Sequence, residues 1–183
     1  MRDVFIVSAV RTPVGRKNGS LSQMHPVAVA SIPLSAVVKR VDLDPAAVED
    51  VVMGCVTPIG EQGANIGRLA VLNAGWPVTV PAVTLNRMCG SSQQAIHFAA
   101  QAIAAGDMDI AVGAGVECMS RVTMGADYPE QFYAGIPYDL IPQGISAELI
   151  CDKWEISREA LDRFSYESHQ KAAAATAAGY FKA

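Results

Sequence analysis

Residues 84–94 read TLNRMCGSSQQ. An apolar lead-in, Val80 to Leu85, ends in a polar turn, and a lone cysteine, a glycine, two serines and two glutamines follow. Cys89 to Ala105 suits a helix that Gly106 closes. The stretch therefore hands a strand over to a helix, with a thiol at the junction. Outward from it the same alternation repeats. Val4 to Val10 (VFIVSAV) is a short apolar run stopped by Pro13 and Gly15, and residues 26–40 are apolar and mostly helix-compatible, with Pro33 either a kink or a sign that part of the stretch is not helical. Asp50 to Val56 reads as a second strand, Asn65 to Ala74 as a short helix ending at Gly75, and Asp109 to Val116 as a fourth strand. This β-α-β-α-β-α-β rhythm predicts an α/β fold, a mixed and mostly parallel sheet covered by helices.

From about Met119 to Pro142 the pattern dissolves into Gly, Pro, Tyr and Met, as in a surface loop or excursion. Helices are expected again over Ser146–Trp154 and Arg158–Ala178, the second capped by Ser157 with Glu159 in its first turn. Leu161, Phe164, Ser168 and Ala175 share one side of that second helix. The pair superficially suggests a helix-turn-helix, but it has no basic recognition face. The expected division is an α/β domain over 1–118 and a second region over 119–183.

Composition narrows the function classes. The 183 residues are 51% hydrophobic and 17% charged, ample for a core. A net charge of -4 without a run of like charges gives no footprint for nucleic acid. No 18-residue apolar run is present, and the N-terminal run is too short for a signal peptide, so a cytoplasmic chain with no membrane partner is expected. Cys55, Cys89, Cys118 and Cys151 contain no C-x-x-C pair, and His25, His97 and His169 are scattered, so neither a metal site nor a disulfide framework is expected.

A cysteine at a helix start lies near unpaired N–H groups and the positive end of the helix dipole, both of which favour thiolate over thiol. Gly90 leaves the approach open, Ser91 and Ser92 offer hydroxyls, and the same N–H groups suit an oxyanion of acyl transfer. From placement alone Cys89 is equally a small buried hydrophobe; for the other three cysteines the buried reading is preferred. A nucleophile also needs a base. His97 lies eight residues along the same helix, about 12 Å up its axis, and cannot serve. Gly113 and Gly115 lack the third glycine of a dinucleotide fingerprint, since Cys118 stands there. Arg11, Arg16 and Lys17 suit a phosphate or, more simply, a solvated loop. Glu117 suits a catalytic or a structural acid at a strand end.

Taken together these residues resemble the thiolase family, the acetyl-CoA acetyltransferases and 3-ketoacyl-CoA thiolases, along essentially the whole chain. Arg11-Thr12-Pro13-Val14-Gly15 with Gly19 and Leu21 resembles the family's opening R-T-P-x-G…G-x-L. Met53 to Val56 and Gln62 to Arg68 resemble its second strand and following helix. Asn86 to Ile96 resembles the nucleophile motif, in a Ser-Ser-Gln-Gln form closer to the degradative or broad acyltransferase branch. Gly113 to Ser120 resembles G-G-x-E-x-M-S with Ala114 for a glycine, and Gly144 to Glu148 resembles G-x-[ST]-A-E, preceded by Gln143 where the family often has Met.

The resemblance implies a thiolase-like layered fold, N-terminal half, with the start of a loop domain. It implies ping-pong acyl transfer in which Cys89 takes an acyl group from a 3-ketoacyl-CoA and CoA removes it. The substrates are acyl-CoA and CoA, with no metal or redox cofactor. The family's G-H-P histidine, C-x-G cysteine and N-E-A-F asparagine belong to its second half, and none of these motifs occurs in the 183 residues. The expectation is therefore a nucleophile without its base, inactive or nearly so alone, in a homo-oligomer (dimer or tetramer) and requiring a C-terminal half. The rival readings are a ketoacyl-synthase-like condensing enzyme and a non-catalytic CoA- or lipid-binding or assembly module.

Overall fold

A computed structural model describes residues 2–129 and 135–182. The chain divides into two compact units, Met1–Glu130 and Gln131–Ala183. The first contains a three-stranded parallel sheet of β1 (Asp50–Gly54), β2 (Ala82–Leu85) and β3 (Ala111–Gly115) in the order β2-β1-β3. Central β1 pairs Val52 with Val83 on one side and with Gly113 on the other. Every second residue of a strand faces the same way, so Val51 and Met53 point to one face and Val52 and Gly54 to the other.

Helices α1 (Pro26–Lys39) and α2 (Ile66–Asn73) cover the first face. Leu34, Val38, Val51, Met53, Ile66, Ala70, Val71 and Trp76 form one buried cluster there. Each large aliphatic side chain so covered contributes about 1.5–3 kcal/mol. Local chemistry sets where these helices begin. The His25 imidazole accepts the Val27 N–H at 3.2 Å and Pro26 supplies a ready-made first helical φ. The helix runs on through Pro33. Asn65, at φ +59°, caps α2 by accepting the Arg68 N–H, while its amide donates to the Ala82 carbonyl and ties the helix start to β2.

Helix α3 (Ser91–Ala105) covers the second face, and it lies unusually close. A Cβ built on Gly54 would stand 2.5 Å from the Ser91–Ser92 peptide, and one on Gly115 only 1.9 Å from the Ser92 hydroxyl. Only glycine lets the helix start rest on the strand backbones here.

The expected first strand is the one element the structure overturns. Among the described residues, 4–10 find no ladder partner, and Phe5, Ile6 and Val7 are 75–82% exposed. The segment is held at its ends, by the Arg2 N–H on the Ala104 carbonyl and by the Arg40 guanidinium on the Ala9 carbonyl. An apolar run is a strand only where another backbone completes its hydrogen bonds. Without one, VFIVSAV is a segment without regular structure.

Between β3 and α4 (Gln143–Lys153) the described residues form turns and coil, as expected for the stretch from Met119; residues 130–134 of it lie outside the described residues. In the second unit, α4 and α5 (Arg158–Ala177) bury no residue. Ser157 caps α5 as predicted, accepting the Ala160 N–H at 3.2 Å. No described helix is long and apolar enough to cross a membrane.

Candidate active site

The carboxyl ends of β1 and β3 open into a small pocket. Gly54 to Val56 and Gly115 to Glu117 line it from the strands, and Met88, Cys89, Ser91 and Ser92 close it from the turn into α3. Ligand sites in open α/β sheets collect at this end of the strands. Cys89 is exposed at this pocket, where a core cysteine would be covered, whereas Cys55 is buried. The helix begins later than its sequence indicates. Gly90 is the N-cap and Ser91 the first helical residue, so Cys89 stands one place before the cap.

The turn that carries Cys89 is strained and tied down. Met88 has φ +47°, a left-handed conformation that a residue with a Cβ adopts at a cost of about 1–2 kcal/mol. The Asn86 carboxamide holds it from one side, its Oδ1 accepting the Met88 N–H at 2.8 Å and its Nδ2 donating to the Val56 carbonyl at 2.8 Å. Ser91 holds it from the other. Its buried Oγ accepts the Arg87 N–H at 2.9 Å and donates to the Met88 carbonyl at 2.6 Å. The Ser91 hydroxyl is thus consumed by the turn, while Ser92 rests against Gly115.

Glu117 is placed as a structural acid. One carboxylate oxygen accepts the Val56 N–H at 2.7 Å and the other accepts from Gln62 Nε2 at 2.7 Å. Gln62, fully buried, also donates to the Thr57 carbonyl at 2.9 Å and accepts the Cys118 N–H at 2.6 Å. The nearby thiols feel this environment. Burial first, and the Glu117 charge second, push the Cys55 thiol from 9.0 up to about 12. The same two causes raise Cys118. Arg121 pairs with Glu61, whose carboxyl is held below the ordinary range chiefly by that hydrogen bond.

Several residues the sequence singled out are not brought to the pocket. His97 is exposed on α3, and Arg11, Arg16 and Lys17 are exposed in a loop. Among the described residues no three His, Cys, Asp or Glu side chains converge as a metal site would require. Sequence reasoning missed Asn86 and Gln62. Asn86 had one local signal, an Asn opening a polar stretch between a strand and a helix, where its side chain can bond the backbone two residues on. Gln62 had none, because its partners Thr57, Glu117 and Cys118 are assembled only by the fold.

Comparison with known proteins places the chain in a family. Residues 4–183 match the family described as thiolase, N-terminal domain. A steroid 3-ketoacyl-CoA thiolase of Mycobacterium tuberculosis is 42% identical over 196 residues, covering 100% of this chain and 48% of that protein. A 3-ketoacyl-CoA thiolase of Serratia proteamaculans is 44% identical over 186 residues, covering 100% of this chain and 48% of its own length. A beta-ketoadipyl-CoA thiolase of Acinetobacter baylyi is 39% identical over 203 residues, covering 99% and 50%. The chain spans about half the length of the curated relatives it matches. On a match that runs from residue 4 to residue 183, this chain belongs to the thiolase family and corresponds to its N-terminal domain.

Proposed function

We propose that this chain carries the nucleophile of a thiolase-type acyl transfer and that Cys89 is that nucleophile. The observation that carries the reading is an exposed thiol at the pocket formed by the β1 and β3 ends, held on a strained turn one residue before the α3 cap. The Cys89 sulfur attacks the 3-keto carbonyl of a 3-ketoacyl-CoA. The C2–C3 bond breaks, acetyl-CoA leaves as its enolate and takes a proton, and the acyl group stays on sulfur as a thioester. The thiol of free CoA then attacks that thioester and restores Cys89. In the reverse direction the same steps make a carbon–carbon bond. The Cys89 N–H at the helix start is suited to one oxyanion. The reaction uses CoA thioesters as substrates and no further cofactor.

The proton transfers are assigned to a second half: among the described residues His97 lies two helical turns along α3, and the Glu117 carboxylate at the pocket is engaged by the Val56 and Gln62 N–H groups. Nucleophile and base act as a unit, and loss of one member costs orders of magnitude in rate. The reading therefore makes the 183-residue chain the nucleophile-bearing half of a two-part site, with residues 1–118 as its α/β domain and 119–183 as the beginning of a loop domain. It also makes the protein a cytoplasmic homo-oligomer. Ile96 and Phe98, nearly half exposed on opposite flanks of α3, leave apolar surface that favours such association.

The test is mass mapping after incubation with a 3-ketoacyl-CoA. The chain alone is expected to keep its mass. Joined to the C-terminal half of one of the relatives, it is expected to gain one acyl group on Cys89 that CoA removes. Rapid acylation of the lone chain would show that no second half is needed. Acylation elsewhere, or turnover that survives Cys89→Ser, would overturn the assignment.

A further inference from the structure

The hydrogen bonds described above join into one continuous chain. It starts at the Met88 N–H and passes through the Asn86 carboxamide, both sides of Val56, the Glu117 carboxylate and the Gln62 carboxamide, ending at the Cys118 N–H. Each of the three strands contributes the loop at its carboxyl end: Val56 follows β1, Asn86 follows β2 and Glu117 follows β3. We propose that Asn86, Glu117 and Gln62 are positioning residues that act through this relay to hold the Cys89 turn in its strained conformation. The proposal rests on the reading of Cys89 as the nucleophile.

Two features support a positioning role over simple packing. The first is that the strain and the ties coincide. Met88, next to Cys89, is the residue at φ +47°, and Asn86 grips its N–H. A sparsely populated conformation persists only where the surroundings over-determine it. The second is that the relay has a fixed sense. Both Glu117 oxygens accept from N–H groups, so a carboxamide at 117 would turn an NH₂ toward either Val56 N–H or Gln62 Nε2. Likewise Asn86→Asp keeps the acceptor for Met88 but sets a carboxylate oxygen against the Val56 carbonyl. Near-isosteric changes therefore break the relay while leaving volume unchanged.

The experiment measures the rate of iodoacetamide alkylation at each cysteine against pH, by peptide mapping of the purified chain. Exposed Asn86 carries the test, because Asn86→Ala and Asn86→Asp remove no core contact. Each is expected to slow Cys89 about tenfold, the effect of losing hydrogen bonds of ordinary strength, and to leave Cys151 unchanged. Glu117→Gln is expected to do the same. The double variant Asn86→Ala with Glu117→Gln should fall well short of the product of the single effects, because either change alone already breaks the relay. Equal Cys89 rates in wild type and both Asn86 variants, or full multiplication in the double variant, would overturn the relay. A wild-type Cys89 no faster than Cys151 would instead overturn the nucleophile reading beneath it.

Discussion

Gly54→Ala is the substitution that tests most sharply how α3 and its cysteine are placed. The new methyl would stand 2.5 Å from the Ser91 carbonyl carbon and the Ser92 nitrogen, and 2.8 Å from the Ser91 oxygen. Ordinary contact begins near 3.4 Å, so the helix start must retreat from β1 by about 0.9 Å. The atoms met are backbone, which no side-chain rotation can clear. Forcing a methyl into such a contact costs about 1–3 kcal/mol. With a urea dependence of about 1–3 kcal/mol/M for a unit of this size, the unfolding midpoint should fall by roughly 1 M. Buried Trp76 lies in the core of the same unit, and its fluorescence follows the transition. Gly144→Ala, where nothing lies within 4 Å, should leave that transition in place. A misplacement of about 1 Å can cost about a hundredfold in catalysis, so acyl transfer in the completed protein should suffer beyond the stability change. If Gly54→Ala unfolds at the wild-type urea concentration, α3 does not rest on the β1 backbone and the placement of Cys89 argued from it fails.

Other outcomes are expected from the same structure. A thiol moved from 9.0 to about 12 holds about a thousandth of the ordinary thiolate fraction at pH 8, so Cys55 should stay unlabelled until the chain is denatured. Because its folded value is the raised one, the stability Cys55 contributes is present below pH 9 and is lost as pH climbs toward 12; Cys55→Ala should flatten the alkaline side of the stability–pH curve. Ser157→Ala removes the cap of α5 and should cost about 1 kcal/mol of helix stability, read as lost helical circular dichroism on mild heating. Met88→Gly relieves a left-handed residue and should raise the Trp76 midpoint while loosening the turn, so that Cys89 alkylation slows as stability rises.

How much of this was legible in the sequence depends on how local each signal is. The strand-to-helix handover at residues 84–94 could be read because a polar turn, a glycine and a long apolar period sit within one stretch, and Ser157 could be read as a cap from its neighbours alone. VFIVSAV could not, since its apolarity describes a strand's composition but says nothing of whether a ladder partner exists. Glu117 stood open between a catalytic and a structural role until Val56 and Gln62, distant in sequence, were found at its two oxygens. The later start of α3, at Ser91 and not Cys89, reflects the Asn86 and Ser91 ties that wind residues 86–90 into a turn. The close seating of α3 was equally hidden, because a glycine in a strand signals close approach without naming what approaches.

The most direct measurement of the central claim is competitive alkylation of the native chain near neutral pH, with iodoacetamide below one equivalent and the adduct mapped by mass. An exposed thiol on a strained turn at a helix start, with Cys55 buried and Cys118 raised, should take nearly all of the label at Cys89. Equal labelling of Cys89 and Cys151, or no labelling of Cys89, would contradict the assignment and favour a non-catalytic module built on the same fold.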